Sequence, residues 1–85
     1  MGSFRICIKP SAVKELESLP KKDRLRIIAK IKTLAENPRP SGCEKLSGDD
    51  KYRIRQGSYR LVYSIQSEAR EVLIVKVGHR KDIYR

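Results

Sequence analysis

Lys51-Tyr52-Arg53-Ile54-Arg55-Gln56-Gly57-Ser58-Tyr59-Arg60-Leu61-Val62-Tyr63 is the stretch on which the fold turns. Two runs that alternate in polarity flank a Gly-Ser pair, and glycine in first place is the preference of a two-residue type II′ hairpin. That turn sets the register: Gln56 faces Tyr59, Arg55 faces Arg60, Ile54 faces Leu61 and Tyr52 faces Tyr63. One face then carries Tyr52, Ile54, Leu61, Tyr63 and Ile65, a core face. The other carries Arg53, Arg55 and Arg60 on the solvent side.

Working outward, the strands read as Lys51 to Gln56, Tyr59 to Gln66 and Glu71 to His79, with Ser67-Glu68-Ala69-Arg70 as the second turn. If Leu73, Val75 and Val77 share the core face, Lys76 and Arg80 fall on the arginine side and His79 on the core side. Upstream, Phe4, Ile6 and Ile8 alternate with polar residues in a strand ending at Pro10. Ser11 offers an N-cap to a short helix with Val13, Leu16 and Leu19 inward, closed by Pro20. A longer helix follows, with Ile27, Ile28, Ile31, Leu34 and Ala35 in one sector and Lys22, Arg26 and Lys30 as a basic ridge. Asn37-Pro38-Arg39-Pro40-Ser41-Gly42 ends it, and Leu46 to Asp50 reads as a loop. The expected architecture is α+β: an N-terminal strand, a two-helix hairpin, then a three-stranded antiparallel meander in one sheet with the helices on one face. No repeat or second domain is visible, so residues 1–85 read as a single domain.

The composition agrees. The 85 residues are 39% hydrophobic, 35% charged and 6% aromatic, which fits a soluble globular chain. No apolar run approaches the roughly 18 residues of a spanning helix, and the start of the chain has no signal-peptide pattern, so the expected location is cytoplasmic, with no membrane partner. Cys7 and Cys43 lack metal or redox spacing and read as reduced thiols. Twenty Lys and Arg against ten Asp and Glu give a net charge of +10, an excess that marks a nucleic-acid binder.

The arginine face sharpens that reading. Arg55 opposite Arg60 costs stability, because like charges directly across a sheet repel and no acid occurs between Lys51 and Gln66. A fold does not need this arrangement. Arginine is always protonated and its planar fork of donors matches phosphate. The chain has one histidine, His79, and no phosphate loop, HExxH or paired carboxylates. The chemistry left is RNA cleavage without metal or cofactor, in which the substrate 2′-hydroxyl attacks the neighbouring phosphate. Arginines align the attack and neutralise the developing charge. Tyr84, His79, Lys76 and Lys81 are the titratable candidates near the basic face, and neighbouring arginines would favour the Tyr84 phenolate.

Three stretches together resemble the RelE branch of the RelE/ParE toxin superfamily: Lys45-Leu46-Ser47-Gly48; Tyr52 to Arg55 with Gly57 to Tyr63; and Val77-Gly78-His79-Arg80-Lys81-Asp82-Ile83-Tyr84. The two-helix N-terminal half agrees in order and length, so the resemblance covers essentially the whole chain. It implies a type II toxin that enters the ribosomal A site and cuts messenger RNA, silenced by a cognate antitoxin that wraps it. Operator DNA would be touched only by the toxin–antitoxin complex. The family's catalytic positions fall on Arg53, Arg55, Arg60, Arg80 and Tyr84, with Lys51, Lys76 and Lys81 as RNA-binding cations. Well-known members often have lysine at the positions of Arg53 and Arg55, and arginine is a poor proton carrier, so these two take electrostatic and positioning roles. His79 is an acid–base candidate by analogy with some relatives.

Two other readings stand beside this one. A ParE-like toxin would poison DNA gyrase, but such proteins generally lack the Arg80 to Tyr84 pairing. A plain RNA-binding module would display several stacking aromatics on its basic face, where this chain offers about one.

Overall fold

A computed structural model describes residues 3–46 and 50–79. The elements run β1 (Arg5–Ile8), α1 (Pro10–Glu17), α2 (Lys21–Glu36), β2 (Glu44–Lys45), β3 (Lys51–Gln56), β4 (Tyr59–Gln66) and β5 (Glu71–His79). They form an α+β fold with one five-stranded sheet in the order β1-β5-β4-β3-β2. The three strands of the meander have the expected limits. Two features extend the expected sheet: β1 pairs parallel with β5, which makes the sheet mixed, and the two-residue β2 adds an edge beside β3. A strand of two residues has no periodicity to read.

The hairpin register is the one the Gly57-Ser58 turn dictates, with Gln56, Arg55, Ile54 and Tyr52 opposite Tyr59, Arg60, Leu61 and Tyr63. Gly57 sits at φ 61 and Ser58 is not at positive φ, the pattern of a type II′ turn. Between β4 and β5 the pairing slips: Val62 faces Lys76, but Tyr63 faces Ile74, so Val75 is the extra residue of a bulge. The bulge corrects the sequence-based parity of this strand. Val72, Ile74 and Val77 are the fully buried residues, while Leu73 and Val75 are half-buried on the opposite face. One inserted residue reverses the alternation, which no period-two count can foresee.

The helices cover the core face of the sheet. Ile27, Ile31 and Leu34 of α2 and Ala12 and Leu16 of α1 bury against Tyr52, Ile54, Leu61, Tyr63, Ile65 and the three inward residues of β5. α1 begins two residues earlier than expected, with Pro10 at its first position and Lys9 as its cap. Pro is favoured there because its missing N–H would be unsatisfied anyway. Ser11 is therefore inside the helix rather than capping it, and the face rotates so that Ala12 is buried and Val13 is 37% exposed. Beyond Ile74, β5 outruns its partner β1, and Glu15 of α1 meets the bare edge: its Oε1 accepts the Val77 amide at 2.8 Å. No helix among the described residues is long and apolar enough to cross a membrane.

Candidate nucleic-acid interface

The register builds two cross-strand rows on the sheet face away from the helices. Arg55 of β3, Arg60 of β4 and Gly78 of β5 form one; Glu44 of β2, Arg53, Val62 and Lys76 form the next. Because residues i and i+2 of a strand share a face, Arg53, Arg55 and Arg60 stand together. With Lys30, Ser41, Gly42, Cys43, Glu44 and Ile54 they line a groove of about 570 Å³.

Arg60 differs from expectation in one respect. Its strand position is the expected one, but it is 7% exposed rather than solvated. Parity decides which side of a sheet a side chain takes, not what else borders that side. Here the segment from Ser41 to Glu44 and Lys30 of α2 wall the groove. Lys30 is also where the basic ridge of α2 meets the arginines. Arg55 is exposed and Arg53 half-buried.

The charge repulsion expected between these arginines is relieved from outside the stretch that predicted it. Glu44, directly opposite Arg53, accepts from Arg53 Nη2 at 2.7 Å and from its Nε at 3.2 Å through the same oxygen, Oε1. Arg53's hydrogen bond and charge hold the Glu44 carboxyl below its usual range, with Arg60 and Arg55 adding to the pull. Glu44 thus senses all three arginines.

The wall that carries Glu44 is anchored from below. The Tyr63 hydroxyl, fully buried, donates to the Pro38 carbonyl at 2.8 Å. Its ring stacks on Tyr52 at 5.9 Å, and Arg39 donates from Nε to the Tyr52 hydroxyl at 3.1 Å while its guanidinium lies 5.4 Å over that ring. A pair of core tyrosines therefore holds the proline-rich segment that leads to β2.

The other candidate residues stand apart from this groove. Lys76 occupies the Arg53 row two strands away and borders a separate hollow with Glu15, Ser18 and Tyr59. Lys51 lies opposite Ser64 at the far end of β3. His79 is on the helix side, as parity predicts: it meets the Tyr59 ring edge-on at 5.9 Å, and Tyr59 donates to Asp23 Oδ2 at 3.1 Å. That hydrogen bond and burial push the Tyr59 hydroxyl up. His79 lines a second cavity of about 340 Å³ with Asp23, Arg26 and Gln56, across the sheet from the three arginines. Arg80, Lys81 and Tyr84, and the Ser47-Gly48 part of the first motif, lie outside the described residues. Among the described residues no three His, Cys, Asp or Glu side chains gather as a metal site would require.

Sequence reasoning missed Glu44 and Lys30 as groove residues. Glu44 lies just before Lys45-Leu46, on a separate two-residue strand that the alternation of the hairpin does not reach. Lys30 belongs to a basic helix ridge, and helical periodicity does not show that the ridge reaches the sheet.

Residues 6–84 match the family model of the ParE toxin of type II toxin–antitoxin systems, parDE. A protein of Methanocaldococcus jannaschii named for a RelE1 toxin is 30% identical over 86 residues, spanning 96% of each chain. The archaeal RelE–RelB complex of Pyrococcus horikoshii contains a chain that superposes with a TM-score of 0.79 at 32% identity, covering 92% of this chain and 96% of that one. The isolated E. coli RelE toxin gives 0.81 at 30% identity, covering 96% and 92%.

Proposed function

The chain belongs to the RelE/ParE superfamily as a RelE-type toxin of a type II toxin–antitoxin system, and from that premise we propose that it is a ribosome-dependent endoribonuclease cutting messenger RNA in the A site. The observation that carries this reading is the groove of Arg53, Arg55 and Arg60, two of them directly opposed across a β-ladder and one nearly buried. Three permanent cations outnumber the single acid, Glu44, among the described groove residues, and phosphate is the ligand whose geometry and charge match that excess.

In this mechanism the message supplies its own nucleophile. The 2′-oxygen attacks the adjacent phosphorus, a phosphorane forms, and the bond to the 5′-oxygen breaks to leave a 2′,3′-cyclic phosphate and a 5′-hydroxyl. One proton leaves the 2′-hydroxyl and one reaches the departing 5′-oxygen. Arg53, Arg55 and Arg60 position the phosphate and neutralise the charge that builds on its oxygens, donors being worth most where charge develops. The family pattern assigns the same role to Arg80. Tyr84 takes the proton-handling or base-stacking role that the family pattern assigns, and His79 is the alternative acid–base group. Its place across the sheet from the arginines weakens that alternative. Lys51, Lys76 and Lys81 contribute longer-range attraction for RNA.

The partner that silences such a groove is a cognate antitoxin; the Pyrococcus horikoshii neighbour is itself a RelE–RelB complex. Contact with operator DNA belongs to that complex and not to the toxin alone, and the cytoplasm, where ribosomes translate, is its place of action.

Purified protein added to a translating extract tests the proposal. Messages truncated at defined codon positions, with cyclic phosphate ends, are the expected result. Intact messages with arrested gyrase supercoiling would replace the nuclease with the gyrase-poisoning reading that the ParE family name raises. Intact messages and active gyrase would overturn both.

A further inference from the structure

Among the described residues, Glu44 is the one acid lining the groove of Arg53, Arg55 and Arg60. It is supplied by the short edge strand β2 and set by register directly across from Arg53. Its carboxylate takes two donors of the Arg53 guanidinium on a single oxygen at 2.7 and 3.2 Å, the arrangement a phosphate oxygen would accept from the same fork. The pair is asymmetric in exposure: the Arg53 side chain is 21% exposed and that of Glu44 65%. The arginine is held by its surroundings while the carboxylate faces water, so the carboxylate can yield its place at little cost.

We propose that Glu44 is the resident counter-ion of the arginine groove: it occupies the position of a substrate phosphate oxygen at Arg53, keeps that guanidinium aimed across the sheet while the groove is empty, and must be displaced when a phosphodiester enters. This rests on the reading of the groove as a phosphodiester site. Three arginines and Lys30 with no anion among them would repel one another and would hold any polyanion without discrimination; one internal carboxylate lowers both effects. Glu44 is therefore a specificity-determining residue. It favours ligands that bring enough correctly placed phosphates to outcompete it and disfavours single stray anions. The hydrogen bond and charge of Arg53, with Arg60 and Arg55 behind it, keep this carboxylate ionised, so it serves as a competitor at every pH at which translation runs.

The test uses a 2′-O-methyl oligoribonucleotide, which cannot be cleaved, and the full chain. Binding is measured between 50 and about 200 mM salt, with melting as the check on folding. Glu44→Gln keeps the shape and removes the charge at an exposed position. Affinity should rise about two- to fivefold, the worth of an exposed ion pair. The groove loses one negative charge, so the slope of log affinity against log salt should steepen by about 0.7, the single-strand value per phosphate. Glu44→Asp keeps the charge and loses reach, and should retain the wild-type slope. If Glu44→Gln binds with unchanged affinity and slope, or more weakly, Glu44 is only a clasp between β2 and β3 and the proposal falls while the function stands. A steeper slope in Glu44→Asp would also overturn it, since geometry and not charge would then be responsible. A wild-type chain that fails to bind at 50 mM salt would remove the phosphodiester site itself, and this proposal with it.

Discussion

Removing one oxygen from the core should loosen the wall of the arginine groove, and the structure allows the size of the effect to be worked out. In Tyr63→Phe the ring remains, so its fully buried packing and its stack on Tyr52 are kept. What disappears is the 2.8 Å hydrogen bond to the Pro38 carbonyl. A typical hydrogen bond contributes about 0.5–1.5 kcal/mol net, while a buried acceptor left without its partner costs about 1–3 kcal/mol. Pro38 is itself buried, so water does not readily take the place of the hydroxyl, and the expected loss is about 1–2 kcal/mol. For a domain of this size each kcal/mol moves Tm by about 4–8 °C, so melting should fall by roughly 5–15 °C. Urea unfolding gives the free energy directly, and its slope should not change because the surface exposed on unfolding does not. A loss below about 0.3 kcal/mol would mean that the Pro38 carbonyl does not depend on Tyr63; one above about 4 kcal/mol would mean that ring packing had failed as well. Either result refutes the idea that this hydroxyl pins the segment leading to Glu44.

Alkaline stability follows from the same residue. Burial, then the neighbouring Cys43, pushes the Tyr63 hydroxyl far above its ordinary value, and the Asp23 contact raises Tyr59. Groups raised on folding stabilise fully below the unfolded tyrosine value of about 10, and the benefit drains away as pH climbs beyond it. Tm should therefore begin to fall near about pH 10 and keep falling above it, and less steeply in Tyr63→Phe; a flat profile would contradict the assignment. Arg60→Met, which keeps much of the stem volume of this nearly buried residue, should lower message cleavage by about a hundredfold or more, as loss of a transition-state donor does. Cleavage within a few-fold of wild type in a folded variant would take Arg60 out of the reaction. Tyr84→Phe should slow cleavage by a similar factor if the hydroxyl carries a proton. A near-normal rate would leave the ring a stacking role only.

Much of the site was legible because a tight turn converts sequence into geometry. Gly57-Ser58 admits a two-residue loop, and that loop leaves a single register, so Arg55 opposite Arg60 and Arg53 beside them could be stated from residue order alone. The same alternation put His79 on the helix side. These are local consequences: a β-strand has two faces, and a two-residue turn leaves no freedom in choosing between them.

What lay beyond reach is of another kind. Whether β5 carries a bulge at Val75 depends on packing against β1 and the helices, and its presence exchanged Leu73 and Val75 for Val72 and Ile74 in the core. That β1 runs parallel to β5, that the proline-rich segment is tied down by Tyr52 and Tyr63, and that Glu44 thereby arrives opposite Arg53 are all contacts between residues distant in the chain. The alternation of residues determined which side chains share the arginine-bearing side of the sheet. Only tertiary structure decided that Arg60 is nearly buried there and that the arginines already have an acid among them, because burial and charge pairing depend on neighbours that no local period encodes.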